Sequence, residues 1–178
     1  MGLDMMLYKT KKVEGVNSDK LIAISNAIYE HIKEDEDLKS IDLSSVTGIE
    51  AANEFKPYIK KRGDFIIYFS PFEEIGYWRK ANHIHAWFVD NVQNNVDDCG
   101  IYPVSKAQLK KLKGVCQLVL NNMDHAATLL PTQSGFFFGS TDYDEYYKRD
   151  VEDTMRILSK AIDETDFDKE MIVYSSSW

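Results

Sequence analysis

Cysteine, proline and glycine are scarce in this chain of 178 residues, which contains two, four and nine of them respectively. Two cysteines cannot form the disulfide framework of a small secreted domain, and they favour free thiols in a reducing compartment. So little proline and glycine excludes the fibrous and low-complexity classes. Because hydrophobic residues make up 44% of the sequence, we expect a globular protein with a sizeable core.

Long apolar runs are also missing. No stretch contains the roughly 18 consecutive apolar residues that a transmembrane helix needs, and residues 1–9 lack the ordered regions of a signal peptide. The 21 basic and 29 acidic residues give a formal charge of −8, which disfavours general nucleic-acid binding because phosphates attract positive charge. We therefore expect a cytoplasmic protein that binds neither membranes nor nucleic acids, with an oligomeric state that the sequence leaves open.

Catalytic motifs are absent as well. The sequence contains no metal-ligand spacing, no phosphate-binding loop and no G-x-S-x-G nucleophile elbow around Ser134. Cys99 follows Asp97 and Asp98, whose carboxylates disfavour a reactive thiolate. The sequence therefore predicts no metal and no cofactor, and it favours a non-enzymatic role without excluding an enzyme.

Residues 75–92 hold the densest polar chemistry of the chain, and their periodicity predicts one helix. At about 100° per residue, one arc of this helix is apolar and is predicted to be buried: Trp78, Ala81, Ile84, His85, Phe88, Val89 and Val92. The opposite arc is predicted to be exposed and carries Arg79, His83 and Asp90, with Lys80 and Trp87 at its margin. This polar stripe is the first candidate for a site.

The two histidines of this segment are predicted to have different roles. Residues two apart on a helix point about 200° apart, so His83 and His85 cannot share a metal ion. His85 on the apolar face is predicted to be a hydrogen-bonded core residue. His83 is the better candidate for a base, with Asp90, or Asp97 and Asp98 in space, available to orient it.

Local patterns predict the remaining elements. They indicate a strand over 3–8, a helix capped by Asn17 or Ser18, a hairpin over 55–70, a helix with a Ser105–Gln108 capping box, a helix capped by Thr141 and a strand over 171–174. Residues 35–54 have no sustained period and are predicted to be a variable or flexible segment. We expect a single globular domain over 1–178 of the α+β class, with a small, mostly antiparallel sheet packed against three to four helices.

Three consecutive phenylalanines, Phe136–Phe138, lie between two glycines in the segment 132–144. They cannot all face one side of a strand, so either both faces are covered or one ring is exposed. Polar side chains in this segment, like others at helix ends and on a helix's polar side, lie at positions where a rigid scaffold commonly displays binding residues. The full candidate ligand or partner site is Trp78, Arg79, Asn82, His83, His85, Trp87, Asp97, Asp98, Gln133, Ser134, Thr141 and Asp142.

Several long segments resemble a family of small, mostly uncharacterised proteins encoded by bacteriophages and prophages. These segments are 1–5 (MGLDM), 75–82 (IGYWRKAN) with His85 and Trp87-Phe88, 97–99 (DDC), 130–144 (LPTQSGFFFGSTDYD) and 176–178 (SSW). Residues 14–60 differ from the family pattern. The resemblance implies a phage origin and a bacterial cytosol, and it implies no reaction. It matches His85 rather than His83, so both histidines stay candidates.

Two functional hypotheses follow from these observations. The first is a non-enzymatic accessory protein that binds a host or phage protein, as the acidic charge, the exposed aromatics and the missing catalytic motifs indicate. The alternative is a small enzyme or ligand-binding protein whose pocket is formed by the helix over 75–92 and the loops over 97–100 and 132–144. The second hypothesis requires the polar candidates to surround one concave site.

Overall fold

A computed structural model describes three stretches of the chain, residues 2–32, 41–62 and 66–178. The chain divides into two compact units, the first formed by residues 2–9 and 74–178 and the second by residues 10–73. The expectation of one domain over 1–178 stays a prediction.

Strands and helices follow one another in an irregular order along the chain. They are β1 (Asp4–Lys11), α1 (Ser18–Ile32), α2 (Leu43–Thr47), a 3-10 helix (Glu50–Tyr58), β2 (Ile59–Arg62), β3 (Ile66–Phe69), β4 (Glu73–Arg79), α3 (Asn82–Asn91), β5 (Ile101–Val104), α4 (Lys106–Asn121), a 3-10 helix (Met123–His125), α5 (Ala126–Leu129), α6 (Glu145–Glu164) and β6 (Glu170–Ser177). The predicted α+β class is confirmed.

The first unit is built on a four-stranded antiparallel sheet in the order β4-β1-β6-β5. The side chains of Leu3, just before β1, and of Met5 and Leu7 on β1 are fully buried, which is the period-two pattern of a strand with one face on the core. The predicted Ser105–Gln108 capping box opens α4. The predicted apolar stripe of α4 is buried in the same core: Leu109, Leu112, Cys116 and Val119.

Cys116 is part of this core and Cys99 is exposed. Burial raises the pKa of the Cys116 thiol to about 12, so Cys116 packs as a small hydrophobic residue and stays protonated near neutral pH. Among the helices that the structure describes, none has the length and apolar character needed to cross a membrane.

The prediction of one helix over 75–92 is wrong in its first third. Residues Glu73–Arg79 form the edge strand β4, and the helix α3 begins at Asn82. Trp78 is buried on the strand, so a period of two and a period of 3.6 both place it inside, and the sequence pattern could not separate them. β4 lies next to β1 in the sheet, and just beyond these strands the amide of Lys80 donates to the Leu3 carbonyl at 2.8 Å.

The second unit contains α1, α2, the first 3-10 helix and the hairpin of β2 and β3. Asn17 caps α1, since its side-chain oxygen accepts from the Lys20 amide at 3.1 Å. The predicted hairpin is confirmed by antiparallel pairing from Ile59↔Phe69 to Arg62↔Ile66, while its turn lies outside the described residues. Residues 55–58, predicted as strand, belong to the 3-10 helix, where Pro57 cannot donate to a ladder.

The aperiodic segment 35–54 contains helical structure in its second half, and residues 35–40 lie outside the described part of the chain. Asp42 begins α2 by accepting from the Ser44 amide at 3.1 Å and from Asn53 Nδ2 at 2.7 Å. The hydrogen bonds from Asn53 and Ser45 lower the pKa of Asp42 to about 2. Helices this short are stabilised by caps, which leave no periodic pattern in the sequence. That residues 35–54 form a variable or flexible segment stays a prediction.

The prediction that Thr141 caps the last long helix is also wrong. Asp144 is the N-cap residue of α6, and its Oδ1 accepts from the amides of Tyr146 at 2.9 Å and Tyr147 at 3.1 Å. Thr141 lies before the helix and is exposed. The segment 141–144 offers several capping residue types, so local sequence alone does not select the one that begins the helix.

We expect Asp144→Ala to lower the free energy of unfolding by about 1 kcal/mol, because two amides at the start of α6 lose their acceptor. Thr141→Ala is the matched control and should change it by less than about 0.5 kcal/mol, as is usual for surface substitutions. Urea denaturation of both variants measures the difference. Equal midpoints for the two variants would show that Asp144 does not stabilise the helix start.

Candidate functional site

Asn82, the first residue of α3, holds a loop that we call the Phe loop (residues 133–140). Its Oδ1 accepts from the Gln133 amide at 2.9 Å. Its Nδ2 donates to the carbonyls of Phe138 at 3.2 Å and Ser140 at 2.8 Å. Because Asn82 is only 1% exposed, one buried amide fixes both ends of the loop.

The tip of the Phe loop displays two aromatic rings. Phe136 is 84% exposed and Phe137 is 50% exposed, while Phe138 is buried. The two exposed rings lie 4.2 Å apart, centroid to centroid. Phe137 has φ 64°, a backbone conformation that is unfavourable for a side chain of this size. The sequence left open whether both faces of this run are covered or one ring is exposed, and in the structure two rings of the run are exposed.

The buried ring of Phe138 fixes the Phe loop by packing against neighbouring aromatic rings. It meets the His85 ring edge-on at 5.4 Å and the Trp178 ring at 5.9 Å. Gly135 is required here, since a Cβ at that position would lie 2.5 Å from Cγ of Phe138. The exposed pair therefore stands on a base that is packed and hydrogen-bonded.

A cavity of about 250 Å³ opens beside the base of this loop, and we call it the α3–α6 cavity. Its walls come from the end of β4, the start of α3, the end of the Phe loop with the residues that follow, and the first turns of α6. The lining residues are Arg79, Lys80, Asn82, His83, Gly139, Ser140, Asp142, Asp144, Tyr146, Tyr147 and Asp150. Cationic, acidic and aromatic side chains thus share one small space.

His83 lies in the wall of this cavity and is only 2% exposed, so the prediction that it points to solvent is wrong. Its ring lies 4.2 Å from the Tyr147 ring, centroid to centroid. Helix α6 therefore covers the side of α3 that the sequence pattern left free. Within the described residues, Nε2 of His83 is buried and has no hydrogen-bond partner, and burial lowers the pKa of His83 to about 3.

Asp150 is an acidic residue of α6 that lines the same cavity as His83. Burial raises its pKa to about 6, with the charges of Asp153 and Asp144 acting in the same direction and Arg149 against them. Tyr147 lies three residues earlier, on the same face of α6, and burial raises the pKa of its hydroxyl as well. The cavity lining therefore includes both a neutral imidazole and a partly desolvated carboxylate.

No family model, curated protein or solved structure matches this chain. The phage relationship inferred from segments such as 130–144 stays a prediction.

A second cavity, of about 350 Å³, is also lined by His83. Its lining residues are His83, Ala86, Trp87, Asp90, Asn91, Lys111, Val115, Thr128, Leu129, Leu130 and Pro131. Lys111 donates to Asn91 Oδ1 at 2.7 Å across its wall. His83 thus lines both cavities, and Trp87 supplies an aromatic wall only to the second.

His85 belongs to a separate buried cluster, as predicted for a core histidine. Its Nε2 lies 3.0 Å from Asp97 Oδ2 and its Nδ1 lies 2.8 Å from the Tyr174 hydroxyl. Since a carboxylate only accepts, Nε2 donates to Asp97, and Nδ1 is paired with the Tyr174 hydroxyl. Asp97 also accepts from Trp178 Nε1 at 3.1 Å. Both nitrogens are satisfied, so this cluster ties β6 to the 97–100 loop.

The candidate residues from the sequence are thus divided among several places. Arg79, Asn82, His83 and Asp142 line the α3–α6 cavity. Trp78 donates Nε1 to the Thr154 hydroxyl at 2.9 Å inside the core, and Asp98 accepts from the Tyr102 hydroxyl at 2.8 Å. The remaining two loop residues are exposed: Ser134 and Thr141.

Sequence reasoning missed the contribution of α6 to the cavity. Tyr146, Tyr147 and Asp150 are spaced at three and four, which places them on one side of that helix. This spacing was available as a signal, although it does not reveal which element faces it. In the described stretches, no group of three His, Cys, Asp or Glu side chains is placed to hold a metal ion.

Proposed function

We propose that this chain is an accessory protein of a bacteriophage or prophage that binds a host or phage protein through Phe136 and Phe137. The observation that carries the proposal is the exposure of both rings at the tip of an anchored loop. An exposed aromatic pair is costly for a free surface and is characteristic of binding sites. The phage setting is supported by the resemblance described above.

Burial of these rings in a partner supplies affinity. Each fully buried Phe side chain contributes about 1.5–3 kcal/mol, and aromatic anchors near the centre of an interface commonly dominate its energy. The loop is held in place by Asn82 and Phe138, so little ordering entropy is lost on binding. These physical terms favour Phe136 and Phe137 as anchors.

The charge around the loop defines the partner further. Acidic side chains follow it closely at Asp142, Asp144 and Glu145, and the formal charge of the chain is −8. An apolar pocket with basic residues at its rim complements this surface, because opposite charges speed association and fix orientation. The partner expected is therefore a protein with such a pocket.

A second candidate function, binding of a small ligand, is favoured by the α3–α6 cavity. The 97–100 loop does not contribute to its lining, so the pocket differs from the one that the sequence predicts.

Phe136→Ser is expected to reduce capture of the partner from host-cell extract by at least tenfold, a loss of about 1.4 kcal/mol. Because Phe136 is exposed, the melting temperature should stay unchanged. Quantitative affinity capture, followed by titration of the purified partner, measures the effect.

The control for this experiment is Leu118→Ser, which removes an exposed apolar side chain from α4. Capture should be the same for this variant as for the unaltered chain. If Phe136→Ser captures the same partner equally well, or Leu118→Ser loses it to the same degree, the Phe loop is not the binding surface.

A further inference from the structure

His83, a residue in the wall of the α3–α6 cavity, contains a polar atom that the described part of the chain leaves without a partner. Nε2 of His83 is buried, and none of the residues described in the structure donates to it or accepts from it. Leaving a buried polar group unpaired costs about 1–3 kcal/mol. A ligand that hydrogen-bonds to this nitrogen would recover that cost.

The charges in the cavity lie on different walls. The cations Arg79 and Lys80 lie at the end of β4 and just after it, whereas the carboxylates come from α6 and the residues before it: Asp142, Asp144 and Asp150. Arg79 is partly engaged by Asp4, with 3.6 Å between the guanidinium and the carboxylate. Lys80 is therefore the main cation available to a bound anion.

We propose that the α3–α6 cavity binds a small zwitterion, with its ammonium group between His83 and Asp150 and its carboxylate at Lys80. This inference goes beyond the proposed partner binding and does not depend on it. The ligand donates one N–H to Nε2 of His83 and a second to the Asp150 carboxylate.

The size of the cavity agrees with this class of ligand. A volume of about 250 Å³ lies below the range of about 300–1,000 Å³ found for drug-sized ligands. A compound of the size of an amino acid fits these dimensions, and its two charges match the two charged walls.

The protonation state of His83 decides which end of the ligand it contacts. Since burial lowers the pKa of His83 to about 3, the ring is neutral at pH 7 and Nε2 accepts a hydrogen bond when the proton is on Nδ1. A neutral imidazole has no positive charge to attract an anion. The desolvated carboxylate of Asp150 gains most from a cation, because an opposite charge favours its ionised form.

The test compares small ligands that carry a positive charge, a negative charge or both. The zwitterions are glycine, β-alanine and 4-aminobutyrate, which increase in length, and the single-charge probes are butylammonium and butyrate. Protein labelled with ¹⁵N-histidine reports each imidazole separately by NMR. We expect at least one zwitterion to shift the His83 signals saturably and to bind at least tenfold more tightly than either single-charge probe.

Variants assign the two ends of the ligand. Asp150→Asn should weaken zwitterion binding at least tenfold, whereas Asp163→Asn, on an exposed part of the same helix, should leave it unchanged. Lys80→Gln should weaken zwitterion binding and leave butylammonium binding unaltered. Phe136→Ser should have no effect, so failure of partner binding and failure of this site are separable.

Several results would overturn the proposal. One is the absence of any saturable His83 shift with the three zwitterions up to about 10 mM, which corresponds to binding weaker than about 3 kcal/mol. Another is equal affinity for a zwitterion and a single-charge probe. A third is unchanged zwitterion binding by the Asp150→Asn variant, when the melting temperature of that variant shows that it is folded.

Discussion

Asn82→Leu is expected to lower the free energy of unfolding by about 3 kcal/mol. The substitution keeps the approximate shape of the side chain and removes its hydrogen bonds to Gln133, Phe138 and Ser140. Each buried backbone group left without a partner costs about 1–3 kcal/mol, and partial access of water to two of them reduces the sum. Urea denaturation monitored by tryptophan fluorescence measures the loss.

The same variant should also loosen the Phe loop, since Asn82 holds both of its ends. We expect faster amide exchange at Gln133 and Phe138 and weaker partner binding, because a mobile tip loses more entropy on association. Asn121→Leu on the exposed side of α4 is the control and should change stability by less than about 0.5 kcal/mol. Equal stability losses at the two positions would contradict the role assigned to Asn82.

Acidification is expected to destabilise the protein through His83. Its pKa is about 3 in the folded state and about 6.5 when unfolded. Between these values the unfolded chain binds the extra proton, so stability rises with pH and is fully present above about 6.5. The contribution of His83 falls by about 1.4 kcal/mol for each pH unit below that value, or nearly 3 kcal/mol from pH 6.5 to 4.5.

Asp150 acts in the opposite direction over part of this range. Its pKa is raised from 3.8 to about 6, so between these values the folded state binds more protons and stability falls as pH rises. The side chain is only partly buried and solvent screens the exposed part, so this contribution is about 1 kcal/mol. The loss from His83 is larger, and net destabilisation is expected on acidification.

His83→Phe separates the two effects. A phenyl ring keeps the packing on Tyr147 and cannot be protonated, so the dependence on His83 between pH 6.5 and 4.5 should disappear. Denaturation midpoints at half-unit pH intervals give the slopes, and His125→Phe at an exposed position is the control. If His83→Phe keeps the slope of the unaltered chain, the acid sensitivity comes from other groups.

Local sequence was sufficient for several elements because their signals act over a few residues. The capping box of Ser105 and Gln108 requires only residues of one helical turn. The alternation of Leu3, just before β1, with Met5 and Leu7 on β1 is likewise a local pattern. The core role of His85 could also be predicted, because an imidazole within an apolar arc must be hydrogen-bonded to be buried.

The sequence left the candidate site only partly defined. It identified Arg79, Asn82, His83 and Asp142, which line one cavity, and it included Asp98, which lies elsewhere. It did not identify Asp150. The reason is that a cavity depends on which helix faces which, and the side-chain spacing within one helix carries no information on its neighbour.

The amino-acid sequence by itself determined the α+β class, the capping box and the hairpin. Tertiary structure decided the rest. Trp78 suits a strand and a helix equally, and pairing with β1, more than 60 residues earlier, made it a strand. His83 suits an exposed helix face, and packing of Tyr147 against it made it buried, because contacts between residues distant in sequence outweigh local propensity.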